Sequence, residues 1–331
     1  MKKQESSFAL LEKMEICEII NNTKSENFTY TFGIPTYKRS VELREAIESV
    51  YSQKAKVDFN VIISDNNPER NDETEIMMKE YYSDKPNLLY FKNIENIGST
   101  NNWNRLFQYC QTPYLIMLHD DDVLFENYLE RIEYFMKRLP EVSALNCEKI
   151  TWNGKESRMV IDNSCNFVIR HNVYTNFLHF NYGTPSGCLF NVNDVRAIGG
   201  YNEEYGNSLD YALIMKFLIN DKVCIKTIEP LMLYRWGNNA STKFEVLRNL
   251  LENDYRLKED VAKLVKINSL LKGLFDFFDI KIRLRSILKI NGKRLTFRGY
   301  KYGGDCFVAL YKVFCFFYYN LYINHYCKEK V

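Results

Sequence analysis

Short apolar runs at 28–34, 59–63, 88–91 and 114–118 alternate with segments at 40–53, 69–82 and 99–110 whose apolar positions return every three or four residues. The runs predict strands buried on both faces, and the intervening periodicity predicts helices. Strand–helix alternation at this spacing predicts parallel strands with helical crossovers, an α/β fold whose mostly parallel sheet is flanked by helices. Loops that follow parallel strands share one edge of the sheet. Pro35, Asp65 and the acidic run Asp120, Asp121 and Asp122 each end a strand and are therefore expected to converge on one crevice.

Outside this alternation the pattern changes. Residues 6–20 place Phe8, Leu11, Met14 and Ile19 roughly on one helical side, which predicts a packing helix without chemistry, and 21–27 reads as a polar loop. A helix from near Glu126 to Arg138 leads into a less regular part. There we expect short strands at 142–147, 158–161 and 188–190, turns at 183–187 and at Gly199 and Gly200, a helix at 208–220, and strands at 223–227 and 231–235. From about Phe244 the chain reads as helical and basic. The expected organisation is an N-terminal extension (1–27), a catalytic-type domain (28–243, halves meeting near 124) and a helical C-terminal region (244–331).

Within 301–324 the polar residues Lys301, Asp305, Lys312, Asn320 and Asn324 fall in a wedge of roughly 140° at helical periodicity, and Phe, Tyr, Val, Leu and Cys cover the remainder. A broad aromatic face beside basic residues suits a helix lying among anionic headgroups, so peripheral membrane contact is expected through 301–324. Packing on the core or on a second subunit is the alternative.

Composition refines the picture in two respects. The 331 residues are 46% hydrophobic and 26% charged, the balance of a soluble globular protein large enough to bury a real core. The net charge of +2 conceals an asymmetry: residues 246–331 hold 17 Lys and Arg against 8 Asp and Glu, and the remainder holds 27 against 34. The two regions should meet different partners, and nucleic acid is not among those expected. Nine scattered cysteines contain no Cys-x-x-Cys pair, which predicts reduced thiols rather than a zinc ribbon or a disulfide framework. With no leader-like apolar stretch and no run of 18 uncharged apolar residues, a cytoplasmic location is expected, peripheral at the inner membrane face.

The acidic triplet is the sharpest chemical signal. Three adjacent carboxylates repel one another unless a cation or a basic group neutralises them. A hard divalent ion with oxygen ligands, itself holding phosphates, fits the cluster; a solvated acidic turn ahead of the next helix is the plainer alternative.

Five segments in order then resemble the inverting nucleotide-sugar glycosyltransferases of family 2, which have the GT-A fold, over about 28–242. These are Phe-Gly-Ile-Pro-Thr-Tyr-Lys-Arg (32–39), the helix ending Ser-Val-Tyr-Ser-Gln (49–53), Val-Ile-Ile-Ser-Asp-Asn-Asn (61–67), Asn96 and Gly98 with Asn102 and Asn104, and Leu-His-Asp-Asp-Asp-Val (118–123). The resemblance implies a Rossmann-like nucleotide-binding half and a UDP- or dTDP-sugar donor. It implies that Pro35, Thr36 and Tyr37 present themselves to the nucleotide, that Asp65 bonds the base, and that Arg39 contacts base or phosphate. Asn96, Gly98 and Asn104 belong to the same donor site. Asp120 would lie near the ribose or sugar, and Asp121 with Asp122 would hold Mn2+ or Mg2+ against the diphosphate.

For the general base the resemblance points to Asp210, although Leu209 stands where the family has Glu; Glu203 and Glu204 are the fallbacks. Arg235, in a segment similar to the family's closing Tyr-Arg, would steady the diphosphate. Gly237 or Asn238 stands where that segment often carries a His, which leaves the third metal position to water. Trp103 replaces an expected basic residue. The acceptor implied is a glycan hydroxyl or a polyprenyl-diphosphate-linked glycan, in capsule, O-antigen or similar surface polysaccharide assembly.

Three rivals are weighed. A metal phosphohydrolase of the His-Asp type needs more histidines than His171, His179 and His325 supply. Haloacid-dehalogenase-like chemistry wants Asp where Pro35 stands. A carbohydrate-binding or scaffold protein on a catalytically degenerate GT-A fold is favoured by Leu209, Gly237 and Trp103 and opposed by the acidic triplet.

Overall fold

Every residue of 30–36 is buried, and along 61–63 Val61 and Ile63 join one core while Ile62 joins another. That is the mark of a strand covered on both faces. A computed structural model describes residues 7–23, 28–152, 166–177, 182–236, 243–301, 303–318 and 327–331.

The chain opens with a short helix α1 (Ser7–Leu11) and a strand β1 (Ile16–Asn21). It continues through β2 (Tyr30–Thr36), α2 (Ser40–Tyr51), β3 (Phe59–Asp65), α3 (Glu73–Tyr82), β4 (Leu88–Asn93), α4 (Gly98–Tyr109) and β5 (Tyr114–Met117). A two-residue strand β6 (Val123–Leu124) precedes α5 (Tyr128–Arg138), β7 (Val142–Trp152), β8 (Phe167–His171), α6 (Val173–Phe177), β9 (Cys188–Asn191) and α7 (Val192–Ala197). A 3-10 turn (Glu203–Ser208) leads into α8 (Leu209–Ile219) and the long strand β10 (Val223–Arg235). Helices α9 (Phe244–Leu264), α10 (Ser269–Asn291) and α11 (Asp305–Tyr318) follow, with a last strand β11 (Lys328–Lys330).

One mixed sheet runs in the order β1-β4-β3-β2-β5-β9-β7-β10-β8-β11, with β6 pairing β10. The strands β4, β3, β2 and β5 are parallel, as the alternation predicts. Beyond β5 the sheet turns mixed: β9 lies antiparallel between β5 and β7, and β7 is parallel to β10. One face carries α2, α3 and α5 over Phe32, Ile34, Val61, Ile63 and Ile116. The other carries α4, α8 and α9 over Ile62, Phe91, Leu115 and Met117. The two-residue side-chain period of each strand feeds both layers.

Several expectations are corrected. The helix expected at 6–20 is α1 plus β1, which pairs antiparallel with β4 and covers that edge of the sheet; the β-branched run in 16–20 finds backbone partners there that a helix would forgo. Helix α3 starts at Glu73 rather than near Glu69. Asn71 takes a positive φ, and the Asp72 carboxylate accepts the Glu75 N–H at 2.9 Å. The strands expected at 223–227 and 231–235 are one strand, irregular around Pro230. Strand β7 runs on to Trp152, and β8 and the edge strand β11 were not expected. Helix α11 begins at Asp305, not Lys301. The strand expected at 158–161 and the positions Gly237, Asn238, Asn320 and Asn324 lie outside the described residues. The described cysteines are all free thiols.

Candidate active site

At the carboxyl ends of β2 and β5 two cavities share a wall made by Pro35, Arg39, Ser99, Trp103 and Asp120. The smaller, about 350 Å³, adds Thr36, Tyr37, Asn66, Asn96 and Asn102. The larger, about 820 Å³, runs from His119 and Asp121 past Asp210 to the helices α9 and α10.

The acidic turn is set by backbone. Leu118 N–H bonds Gly33 O at 3.0 Å, and Asp122 N–H bonds His119 O at 3.2 Å. Ser186 Oγ accepts the His119 N–H at 3.0 Å. From behind, Arg235 donates its backbone N–H to Asp122 Oδ1 and its Nε to Asp121 O, each at 2.9 Å. Gly187, just ahead of β9, has φ +70°, and a side chain there would run into Met232 Sδ.

The three carboxylates are not equivalent. Asp120 accepts from Thr36 Oγ1 at 2.9 Å and from Arg39 Nη1 at 3.0 Å. The same Arg39 nitrogen lies 2.8 Å from Asp121 Oδ2. Asp122 is 1% exposed, and its Oδ2 has no hydrogen-bond partner. Burial pushes the Asp120 carboxyl up to about 6 against the opposing pull of Arg39, and burial pushes Asp122 up to about 6 as well. Burial lowers the His119 imidazole to about 4. The donor set therefore fits a divalent cation. Carboxylate oxygens and an imidazole nitrogen from His119, Asp121 and Asp122 lie within 4.8 Å of one another, and buried polar atoms among them are unsatisfied.

Asp210, in the first turn of α8, also lines the larger cleft. Its Oδ1 accepts the Tyr211 N–H at 2.9 Å, and burial holds its carboxyl up at about 6, with Asp254 adding to the rise. Below it the cleft is walled by Leu209, Leu247, Leu250 and Ile287, and Arg283 is tied to Asp254 at 2.5 Å.

The model for the family described as Glycosyl transferase family 2 matches residues 31–196, half of the chain. The chain belongs to that family. It is 30% identical over 118 residues to the minor teichoic acid biosynthesis protein GgaB of Bacillus subtilis (strain 168), a match covering 34% of this chain and 13% of that protein. It is also 30% identical over 103 residues to an uncharacterized glycosyltransferase of Methanocaldococcus jannaschii, covering 31% of this chain and 35% of the relative. The chain thus spans only a minor part of either relative's length. Among solved structures it is similar to S. aureus TarS, with a TM-score of 0.54 at 16% identity over 80% of this chain and 74% of that one. It is similar too to the mannosyltransferase PcManGT from Pyrobaculum calidifontis, with a TM-score of 0.56 at 13% identity over 96% and 88%. At these identities the likeness is one of fold, and the fold is GT-A.

Not every residue that the family 2 resemblance nominates reaches the cleft. Pro35, Thr36, Tyr37, Arg39, Asn96, Asp120, Asp121 and Asp210 line one cavity or both. Asp65 does not: it is fully buried, and its oxygens accept from Asn67 N at 2.9 Å, Tyr90 OH at 3.0 Å and Lys92 Nζ at 2.9 Å. Its neighbour Asn66 faces the smaller cavity instead. Asn104 is spent on Tyr201, accepting its N–H at 2.9 Å and donating to its carbonyl at 2.8 Å. Arg235 braces the acidic turn, pairs with Glu45 and stacks 4.5 Å over Trp152. Gly98, with φ +78°, opens α4 and sends its N–H to Asn96 Oδ1 at 3.0 Å. Glu203 and Glu204 do not line the larger cleft.

Sequence reasoning missed three contributors. Trp103, noted only as a lost base, forms the shared wall and lies 5.2 Å from the His119 ring. His119 was absorbed into the acidic motif. The cleft-facing side of α9 and α10 was invisible because helical periodicity names a face without naming what it meets.

Proposed function

We propose that the chain is a metal-dependent inverting glycosyltransferase. It moves a sugar from a nucleoside diphosphate to a hydroxyl of a lipid-linked glycan in surface polysaccharide assembly. One observation carries this reading: a single cleft is lined both by Arg39, Asp120 and Asp121 and by Asp210.

The smaller cavity, with the amides of Asn66, Asn96 and Asn102 at its wall, takes the nucleoside, and the sugar projects past Asp120 into the larger one. Asp121 and Asp122 would hold the cation, which when bound supplies Lewis-acid stabilisation to the departing diphosphate. Asp210 accepts the proton of the acceptor hydroxyl as its oxygen bonds the anomeric carbon. The bond from that carbon to the diphosphate breaks on the opposite face, its electron pair leaves with the nucleoside diphosphate, and configuration inverts. A carboxyl near 6 is ionised enough at neutral pH and basic enough to share the proton.

The donor class is supported by the structural neighbours, TarS having been solved with UDP-GlcNAc and PcManGT with GDP-Man and Mn2+. The apolar wall of Leu247, Leu250 and Ile287 favours a lipid-linked acceptor over a free sugar. No helix of the described residues is long and apolar enough to cross a membrane. Exposed Leu270, Leu274, Leu310, Val313 and Phe317 on α10 and α11 support surface attachment at the inner face. Mn2+-dependent transfer or donor hydrolysis, lost in Asp121→Ala and in Asp210→Asn, tests the reading. Retained binding with no turnover by the parent chain would favour the degenerate scaffold.

A further inference from the structure

We propose that His119 is a metal ligand, its imidazole completing with Asp121 and Asp122 a mixed nitrogen–oxygen site for a divalent cation. This rests on the metal-dependent reading above and changes the donor set that reading assumes, in which water took the third position.

The turn holds these side chains together independently of any ion. Ser186 Oγ fixes the His119 backbone, Asp122 N–H closes onto His119 O, and Arg235 braces Asp121 and Asp122 from behind. One candidate ligand atom from each of the three residues falls within 4.8 Å of the others. Two ligands on opposite sides of an ion with bonds of about 2.1 Å stand about 4.2 Å apart, so small side-chain adjustments suffice.

Two buried atoms in this turn have no partner, His119 Nε2 and Asp122 Oδ2, the latter on a residue 1% exposed. Leaving such buried atoms unsatisfied costs stability, and a shared cation would remove that cost. Asp120 accepts at both oxygens, from Thr36 and Arg39, whereas Asp121 accepts from Arg39 at Oδ2. Trp103 lies against the imidazole, 5.2 Å between ring centroids at 31°, and limits its rotation. A nitrogen donor also has a chemical consequence. All-oxygen sites suit hard Mg2+, whereas an imidazole shifts preference toward Mn2+ and Co2+.

Pulsed electron paramagnetic resonance of Mn2+ bound to the full chain tests this directly. The wild type should show a nitrogen hyperfine coupling that changes when histidine is isotopically labelled, and His119→Asn should lose the coupling while binding Mn2+ about tenfold more weakly or worse. Bound Mn2+ with no histidine coupling would overturn the proposal and leave the metal-dependent reading standing. Failure of Mn2+ to bind at all would overturn both. His119→Asp supplies a second arm: an all-oxygen site should lower the Mn2+-over-Mg2+ preference several-fold, and an unchanged preference contradicts nitrogen ligation.

Discussion

Two carboxylate clusters end strands on either side of β2 in the parallel sheet, and they are built in opposite ways. At the end of β3, Asp65 is enclosed and fully partnered by Lys92, Tyr90 and Asn67, and Lys92 is shared with Asp72 at 2.8 Å. At the end of β5, Asp120 and Asp122 are also buried, yet Asp120 shares one half-exposed guanidinium with Asp121, and Asp122 leaves an oxygen unsatisfied. A complete buried network fixes structure, whereas an incomplete one in a cleft keeps charge available for a ligand. The first cluster holds the β3 loop, whose Asn66 lines the smaller cavity, and the second leaves charge open to the larger one.

The largest effects should come from the incomplete side. Asp121→Asn and Asp210→Asn should each lower the transfer rate by about 10²–10⁴-fold. Asp210→Asn should leave cation and nucleotide binding unchanged, whereas Asp121→Asn should weaken both. Wild-type kcat/KM should fall about tenfold per pH unit below about 6, since only the ionised Asp210 takes a proton. A flat acid limb in the pH–rate profile would remove Asp210 as the base.

The enclosed cluster should instead govern stability. Lys92→Met leaves the Asp65 charge buried without its cation and should cost about 3–5 kcal/mol in urea unfolding. A loss under about 1 kcal/mol would mean that Asp65 is not tied as the structure shows.

A smaller effect has the opposite sign. The folded-state carboxyl of Asp210 sits near 6, above its value in the unfolded chain. Its ionisation therefore costs stability, a cost absent below about pH 4 and fully present above about pH 6. Asp210→Asn should raise stability by about 1–2 kcal/mol at about pH 7.5 and by nothing near pH 4. A gain independent of pH would contradict this origin.

Smallest of all, Leu250→Ser should raise KM for a lipid-linked acceptor about fivefold, from the loss of about 1 kcal/mol of apolar contact. The turnover number and donor binding should not change. An equal rise in KM for a short, lipid-free acceptor would detach the α9 wall from lipid recognition.

The donor half was legible in sequence because its strands are buried on both faces and its crossovers are amphipathic; β2, β3, β4 and β5 appear where the apolar runs lie. The acidic turn was legible because Asp120 to Asp122 are adjacent in the chain and need no tertiary contact to be seen together. Asp65, Asn104 and Arg235 do not line the cavities, for one reason. Each sits at the right motif position, but its partners Lys92, Tyr201 and Glu45 are distant in sequence and consume its hydrogen-bonding capacity. The strand β1 was hidden because the open edge of β4 that it covers exists only in three dimensions.

The central claim, that the β5 carboxylates receive a cation together with a nucleoside diphosphate, is tested most directly by thermal unfolding with UDP, dTDP and GDP, each with and without Mn2+. At least one nucleotide should raise the midpoint far more with Mn2+ than the two additions do separately, and Asp121→Asn should abolish the surplus. Stabilisation by a nucleotide that is indifferent to both Mn2+ and Asp121, or by none of them under any condition, would contradict the account.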